Sequence, residues 1–200
     1  MFYQIRQASI ALLLGATLTA CTTVAPPSTP TNESWQTREA ALSKLNSWKL
    51  SGKVAAQTSS DSGSATMDWR QQGSHYTVSL LGPLGAGGMT LTGQPGNVDL
   101  QMSDGKHYRA TNPEELLARG WGFNLPVSYL HYWIRGLPVP GIPSQNQFDS
   151  YHRLTSLSQQ GWQVQILAYT RAGTLELPSK LAISSPTLSS KIVVYEWKIG

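Results

Sequence analysis

The side chains able to do chemistry in this chain are few and scattered. The four histidines are His75, His107, His131 and His152; none lies at i, i+4 from another and none is beside a carboxylate in sequence. A transition-metal site needs several such ligands at close spacing, so structural or surface roles are expected for all four. The adjacent acids Glu114 and Glu115 follow Asn112-Pro113, and a helix N-terminus, where the macrodipole favours acids, accounts for them. There is no Gly-x-Ser-x-Gly nucleophile turn. The run Gly82-Pro-Leu-Gly-Ala-Gly-Gly88 lacks the Gly-Lys-Ser/Thr ending of a phosphate-binding loop and passes into the strand-like Met89-Thr-Leu-Thr92. No enzyme activity, cofactor or metal is expected; the expected mode of action is binding.

One reactive group remains, the single cysteine, Cys21. A lone cysteine excludes a disulfide framework and any multi-cysteine metal site. Its surroundings suggest a different use. Arg6 provides a positive n-region, and Ile10 to Leu18 forms a nine-residue apolar stretch. That is shorter than the ~20 residues of a bilayer-spanning helix and fits a secretory leader. Leu18-Thr19-Ala20-Cys21 then resembles the lipobox of bacterial lipoproteins. The resemblance implies cleavage before Cys21, acylation of its thiol and a new acylated N-terminus. Two or more acyl chains give stable anchoring where one gives only marginal binding. Thr22 rather than Asp after the cysteine implies delivery to the outer membrane, facing the periplasm.

Composition agrees with a domain that binds without strong charge. The 200 residues include 15 Lys+Arg and 11 Asp+Glu, a net charge of +4 with 13% charged residues, about half the ~25% of ordinary soluble domains. No two basic residues are adjacent, so no nucleic-acid partner is expected. With 18 Gly and 12 Pro, a turn-rich, strand-rich chain is expected. Residues 1–20 read as leader, 21–33 as the lipidated cysteine and a Pro/Thr-rich tether, and 34–200 as one domain.

The positioning elements follow from periodicity. Ser34 caps an expected helix from Ser34 to Ser47, with Trp35, Leu42, Leu45 and Trp48 on one face. A period of two then takes over in Trp48 to Ala56, Ala65 to Arg70, Tyr76 to Leu80, Met89 to Thr92 and Val98 to Ser103. The turns are marked by Gly and by Asp104-Gly105, a two-residue hairpin signal. A capped helix starts at Asn112-Pro113 and ends near Gly120; a second runs from Pro126 to Arg135 and stops at Gly136. Strands resume at Trp162 to Ala168, Leu181 to Ser185 and Lys191 to Ile199. The expected fold is nine to eleven strands in one antiparallel meander, curved, with short helices over its apolar face. Inward residues would include Trp69, Val78, Leu80, Met89, Leu91, Met102 and Trp162, and Leu130, Trp133 and Ile134 on the second helix. By pattern alone an ordinary close-packed core explains them. Leu84, between Pro83 and Gly85, sits in a loop with few side chains to bury it. It either folds back onto the sheet or stands out as an apolar finger.

Several segments together resemble the LolB family of outer-membrane lipoprotein receptors. They are Leu80-Leu-Gly-Pro-Leu-Gly85, Gln94-Pro-Gly-Asn-Val98, Asn112-Pro-Glu-Glu-Leu116 and Leu125-Pro-Val-Ser-Tyr-Leu-His-Tyr-Trp-Ile-Arg-Gly-Leu-Pro138. The resemblance implies an incomplete, strongly curved antiparallel β-barrel with short helices covering an apolar cavity, which the ten inward residues above would line. It implies acceptance of acylated lipoprotein cargo from the periplasmic carrier LolA, and release into the inner leaflet of the outer membrane without nucleotide. It assigns the protruding, release-promoting leucine to Leu84, flanked by Pro83 and Gly85; here Gly82 and Ala86-Gly87-Gly88 depart from the family loop. A monomer is expected. A tethered module for another hydrophobic ligand and a structural outer-membrane lipoprotein are the alternatives.

Overall fold

The computed structural model describes residues 30–85 and 87–200. The leader, Cys21 and most of the expected tether lie outside the described residues. Eleven strands form a single antiparallel sheet in the order β6-β5-β4-β3-β2-β1-β11-β10-β9-β8-β7. The strands are β1 Ser47–Gln57, β2 Ser62–Gln72, β3 His75–Leu81, β4 Gly88–Gln94, β5 Asn97–Met102, β6 His107–Ala110, β7 Gln145–Phe148, β8 Leu154–Gln159, β9 Trp162–Ala172, β10 Leu175–Ser184 and β11 Ser189–Ile199. Helices are α1 Trp35–Ser43, α2 Pro113–Trp121 and α3 Val127–Trp133.

The topology corrects the expectation of one meander. There are two, β1 to β6 and β7 to β11, joined where β1 pairs with β11. A bulge at Ser51/Gly52 bends this seam, as bulges do. Gly52 is required there, because a Cβ would run into the Val193 carbonyl. Strands β6 and β7 are the two edges of the sheet, so the barrel is not closed. Between them the chain crosses through α2 and α3; α2 packs on β4, β5 and β6 and against α3.

Alternation decides which face is buried: β1 and β2 carry every second side chain inward. The core runs along the whole concave face, with Trp48, Trp69 and Trp133 fully buried. Trp48 packs on Trp69 and on Trp197, with ring centroids 5.3 Å apart in each case. Among the described residues this core runs from Leu42 to Trp197, with Trp35 and Ile199 packed against it.

Helix α1 is shorter than expected. Ser34 does cap it, accepting from the Thr37 N–H at 3.3 Å, but it stops at Ser43. Leu45 and Trp48 are buried with Leu42 as the spacing implied; Trp48, however, is in strand, paired with Ile199 and Gln71. Asn112 caps α2 by accepting from Glu115 N–H at 3.0 Å, and Gly122 ends it at φ 85. Strands β7 and β8 were not expected. The first is short, polar and at an edge; the second breaks strict alternation, burying Leu154 and Leu157 three residues apart.

Candidate functional site

The β3–β4 connection is the outstanding exposed feature. Its base is closed by Gly82 N–H donating to Gly87 O at 3.0 Å. It is also fastened to the next hairpin, with Gly88 N–H donating to Ser103 Oγ at 2.9 Å and Ser103 N–H to Gly88 O at 2.8 Å. Pro83–Gly85 make one tight turn. Leu84 sits at its tip, fully exposed, with a left-handed backbone at φ 56. That conformation costs a non-glycine residue about 1–3 kcal/mol and persists where surrounding structure imposes it. Leu84 therefore does not fold back onto the sheet. Leu81, exposed on the outer face at the loop's base, extends the apolar tip.

Beside this loop a groove of about 880 Å³ opens at the end of the barrel, within the size range of ligand sites. Pro83 and Gly87 form part of its rim; Leu80, Met89, Met102 and Trp121 form its apolar wall; Ser64 and Ser189 contribute to a polar one. Behind the apolar wall, beneath α2 and α3, lies a fully apolar interior space of only about 20 Å³. A single water-sized probe occupies roughly 10–15 Å³, so the interior is packed shut.

Of the inward residues expected from sequence, Trp69, Val78, Leu80, Met89, Leu91 and Leu130 converge on that interior space. Met102 is half-buried and faces the groove instead. Trp133, Ile134 and Trp162 belong to a different part of the core. The Trp133 indole donates to Gln159 Oε1 at 3.1 Å and its ring meets Trp162 at 6.2 Å, on the β8–β9 side of the barrel, and Ile134 is fully buried just after α3. Sequence reasoning missed Val54, Met67, Leu117, Trp121, Leu125 and Val127, which complete the lining. Leu117 and Trp121 stand at i, i+4 on α2, a signal that was available.

Buried polar groups fix α3 in place. The Arg135 guanidinium donates to Leu45 O at 2.8 Å, Leu42 O at 3.3 Å and His131 O at 3.1 Å, and lies 3.1 Å from His131 Nε2. Burial, with the adjacent Arg135 charge, pushes the His131 pKa down to about 4. The imidazole is therefore neutral at pH 7, and its role is structural. His107, by contrast, is brought by the β5–β6 pairing to 2.9 Å from Asp99, which also accepts from Arg109 at 2.8 Å. Linear spacing does not show this cross-strand neighbour, which the β5–β6 pairing supplies on the surface.

A second charged cluster holds the start of the domain. Arg38 and Glu176, 4% and 5% exposed, form an ion pair of 3.1 Å. Thr31 N–H and Oγ1 donate to the same carboxylate at 3.3 and 3.0 Å. Arg153 adds a 3.3 Å contact. Burial alone would raise the Glu176 pKa; the hydrogen bonds from Thr31 and Arg38 and the Arg38 charge outweigh it and hold the carboxyl below its ordinary range.

The unclosed antiparallel barrel has counterparts of the same fold among solved structures. The LolA superfamily protein NE2245 from Nitrosomonas europaea superposes with a TM-score of 0.55 at 8% identity, over 84% of this chain and 94% of that one. A DUF1329 family protein from Desulfovibrio piger gives 0.56 at 5% identity, over 82% and 90%. At such identities the likeness is one of fold. The sequence profile described as "Outer membrane lipoprotein LolB" matches residues 46–197. Outer-membrane lipoprotein LolB of Pseudomonas putida F1 is 43% identical over 166 residues, covering 83% of this chain and 81% of the relative. That of Pseudomonas syringae pv. syringae B728a is 40% identical over 190 residues, covering 94% and 92%. The chain belongs to the LolB family. It is an outer-membrane lipoprotein with a role in lipoprotein localisation.

Proposed function

We propose that the domain accepts acylated lipoproteins from the periplasmic carrier LolA, shelters their acyl chains beneath α2 and α3, and delivers them to the inner leaflet of the outer membrane. The observation that carries this reading is Leu84, strained and fully exposed on the loop whose Pro83 and Gly87 rim a groove that backs onto an apolar interior. Each acyl methylene taken from water contributes about 0.8 kcal/mol, so a modest difference in fit between carrier and receptor sets the direction without nucleotide. Delivery ends in the bilayer, the most apolar environment on the route. Leu84 entering lipid gains roughly 1.5–3 kcal/mol, too little to anchor the protein but enough to bias a reversible contact. Acylated Cys21 supplies the permanent attachment, and the protein acts as a monomer. Trp69, Val78, Leu80, Met89, Leu91 and Leu130 surround the chains, Met102 meets them at the groove, and Trp133, Ile134 and Trp162 support the lid from behind.

The test is Leu84→Glu in a two-stage assay that separates acceptance of cargo from its release into liposomes. The expected outcome is normal acceptance and lost release. Release at the wild-type rate from a folded variant would remove Leu84 from the mechanism.

A further inference from the structure

The open groove and the closed interior are separate spaces with a common wall of Leu80, Met89 and Trp121. Two of these three are fixtures of the sheet: Leu80 and Met89 are directly paired across β3 and β4, and both are buried. Trp121 is different. It is the last residue of α2, half-buried, and followed by Gly122 at φ 85. We propose that Trp121 is the gate between groove and interior, and that an acyl chain enters by displacing it. This deepens the acyl-chain reading above and rests on it.

The surroundings of Trp121 suit a moving part. Its ring meets Phe123 edge-on at 4.9 Å, and Phe123 in turn lies against Gly63 at the start of β2, where a Cβ would come within 3.0 Å of the phenyl ring. The preceding Gly120 lets the helix end settle on Leu100, Met89 and Met102: a Cβ there would lie 2.8 Å from Leu100 Cδ2 and 2.8 and 3.2 Å from the two sulfurs. Methionine is the most adaptable apolar side chain, so the two methionines of this floor can reshape around the buried Leu100 as the helix end lifts. The other end of α2 is fastened, by the Asn112 cap and by Glu114 Oε1 accepting from Ser128 N–H at 2.8 Å. Helix α3 is clamped by Arg135. Motion is therefore directed to the last turn of α2, with Gly122 as the pivot. An interior of about 20 Å³ admits no acyl chain until this wall gives way.

The experiment uses residues 22–200 and palmitic acid carrying a terminal fluorophore. Association rate is measured by rapid mixing and stoichiometry by titration, for wild type, Trp121→Ala and Trp121→Phe. Trp121→Ala is expected to bind the probe roughly tenfold faster, the effect of removing a half-buried aromatic contact from the barrier, with unchanged stoichiometry. Trp121→Phe, which keeps a ring against Phe123, is expected to stay near the wild-type rate. Trp121→Leu serves if the alanine variant does not fold, with an intermediate rate expected. A folded Trp121→Ala (or Trp121→Leu in its place) that binds at the wild-type rate overturns the gate and leaves the interior site standing. Absence of probe binding by every form, wild type included, overturns the acyl-chain reading itself.

Discussion

Thr31 and Leu84 lie at opposite ends of the sheet. Thr31 is bonded to Glu176 at the start of β10. The far end of β10, Ser184, pairs with Ser189, which pairs with Gln57, and all three line the same groove as Pro83 of the Leu84 loop. Eight residue steps along β10 amount to about 26 Å. Thr31 is ten residue steps beyond Cys21, a length of about 31 Å at the ~3.1 Å per residue of an extended Pro-rich segment. On the proposed attachment through acylated Cys21, Leu84 can meet the same leaflet only if the intervening residues span nearly their full length. Deleting residues 26–29, about 12 Å of reach, is therefore expected to slow release by the anchored protein and to leave the unlipidated domain unaffected. Full-rate release by the anchored deletion variant would contradict this geometry.

Leu84 carries a functional demand at odds with its backbone. Glycine adopts φ 56 without strain, and no buried contact is lost on removing the side chain. Leu84→Gly relieves that strain, offset in part by the freer unfolded chain, and is expected to leave unfolding free energy between wild type and about 2 kcal/mol above it while abolishing release. Denaturant unfolding and the liposome assay check the two halves separately. A variant that releases cargo normally would show that the loop acts without its leucine.

Glu176 ties the entry of the chain to the barrel. Glu176→Gln leaves the buried Arg38 charge without its counter-ion; breaking such a pair typically costs about 3–5 kcal/mol, and the remaining Gln hydrogen bonds place the expectation near the lower figure. The carboxyl is held low by its partners, so its contribution is present above the unfolded-state pKa and is lost as pH falls through the folded value. Wild type is expected to converge on Glu176→Gln in strongly acidic buffer. Urea unfolding at neutral and acidic pH measures both.

His131 gives a separate pH signature. Its folded pKa of about 4 lies below the unfolded 6.5, so the unfolded state binds the additional proton. Stability is full above 6.5 and is lost as pH falls between 6.5 and about 4. Linkage puts the loss from pH 7 to pH 5 at about 2 kcal/mol. His131→Gln is expected to flatten that part of the profile. An unchanged slope would mean that His131 protonates freely in the folded protein.

Legibility in the sequence followed local chemistry. The caps at Ser34 and Asn112, the alternation in β1 to β5 and the oddity of Leu84 all depend on near neighbours, and each was readable. What depends on distant pairing was not. Joining of the meanders through β1 and β11 is set by the Gly52–Val193 approach, which no window of sequence contains. Arg38 on a short helix reads as a solvated charge until Glu176 is brought to it. Trp121, between Gly120 and Gly122, reads as the fraying end of a helix, and only the folded sheet shows that it separates two spaces. Trp133 and Ile134 are buried and Trp162 half-buried, but on the β8–β9 side: the pattern reports which face is inward, not which part of the interior a residue reaches.

The most direct test is to mix residues 22–200 with LolA loaded with a lipoprotein, omit nucleotide, separate the two proteins and ask which one holds the cargo. Transfer to this domain is the predicted result. Retention by a carrier shown to be competent, with this domain shown to be folded, would contradict the account.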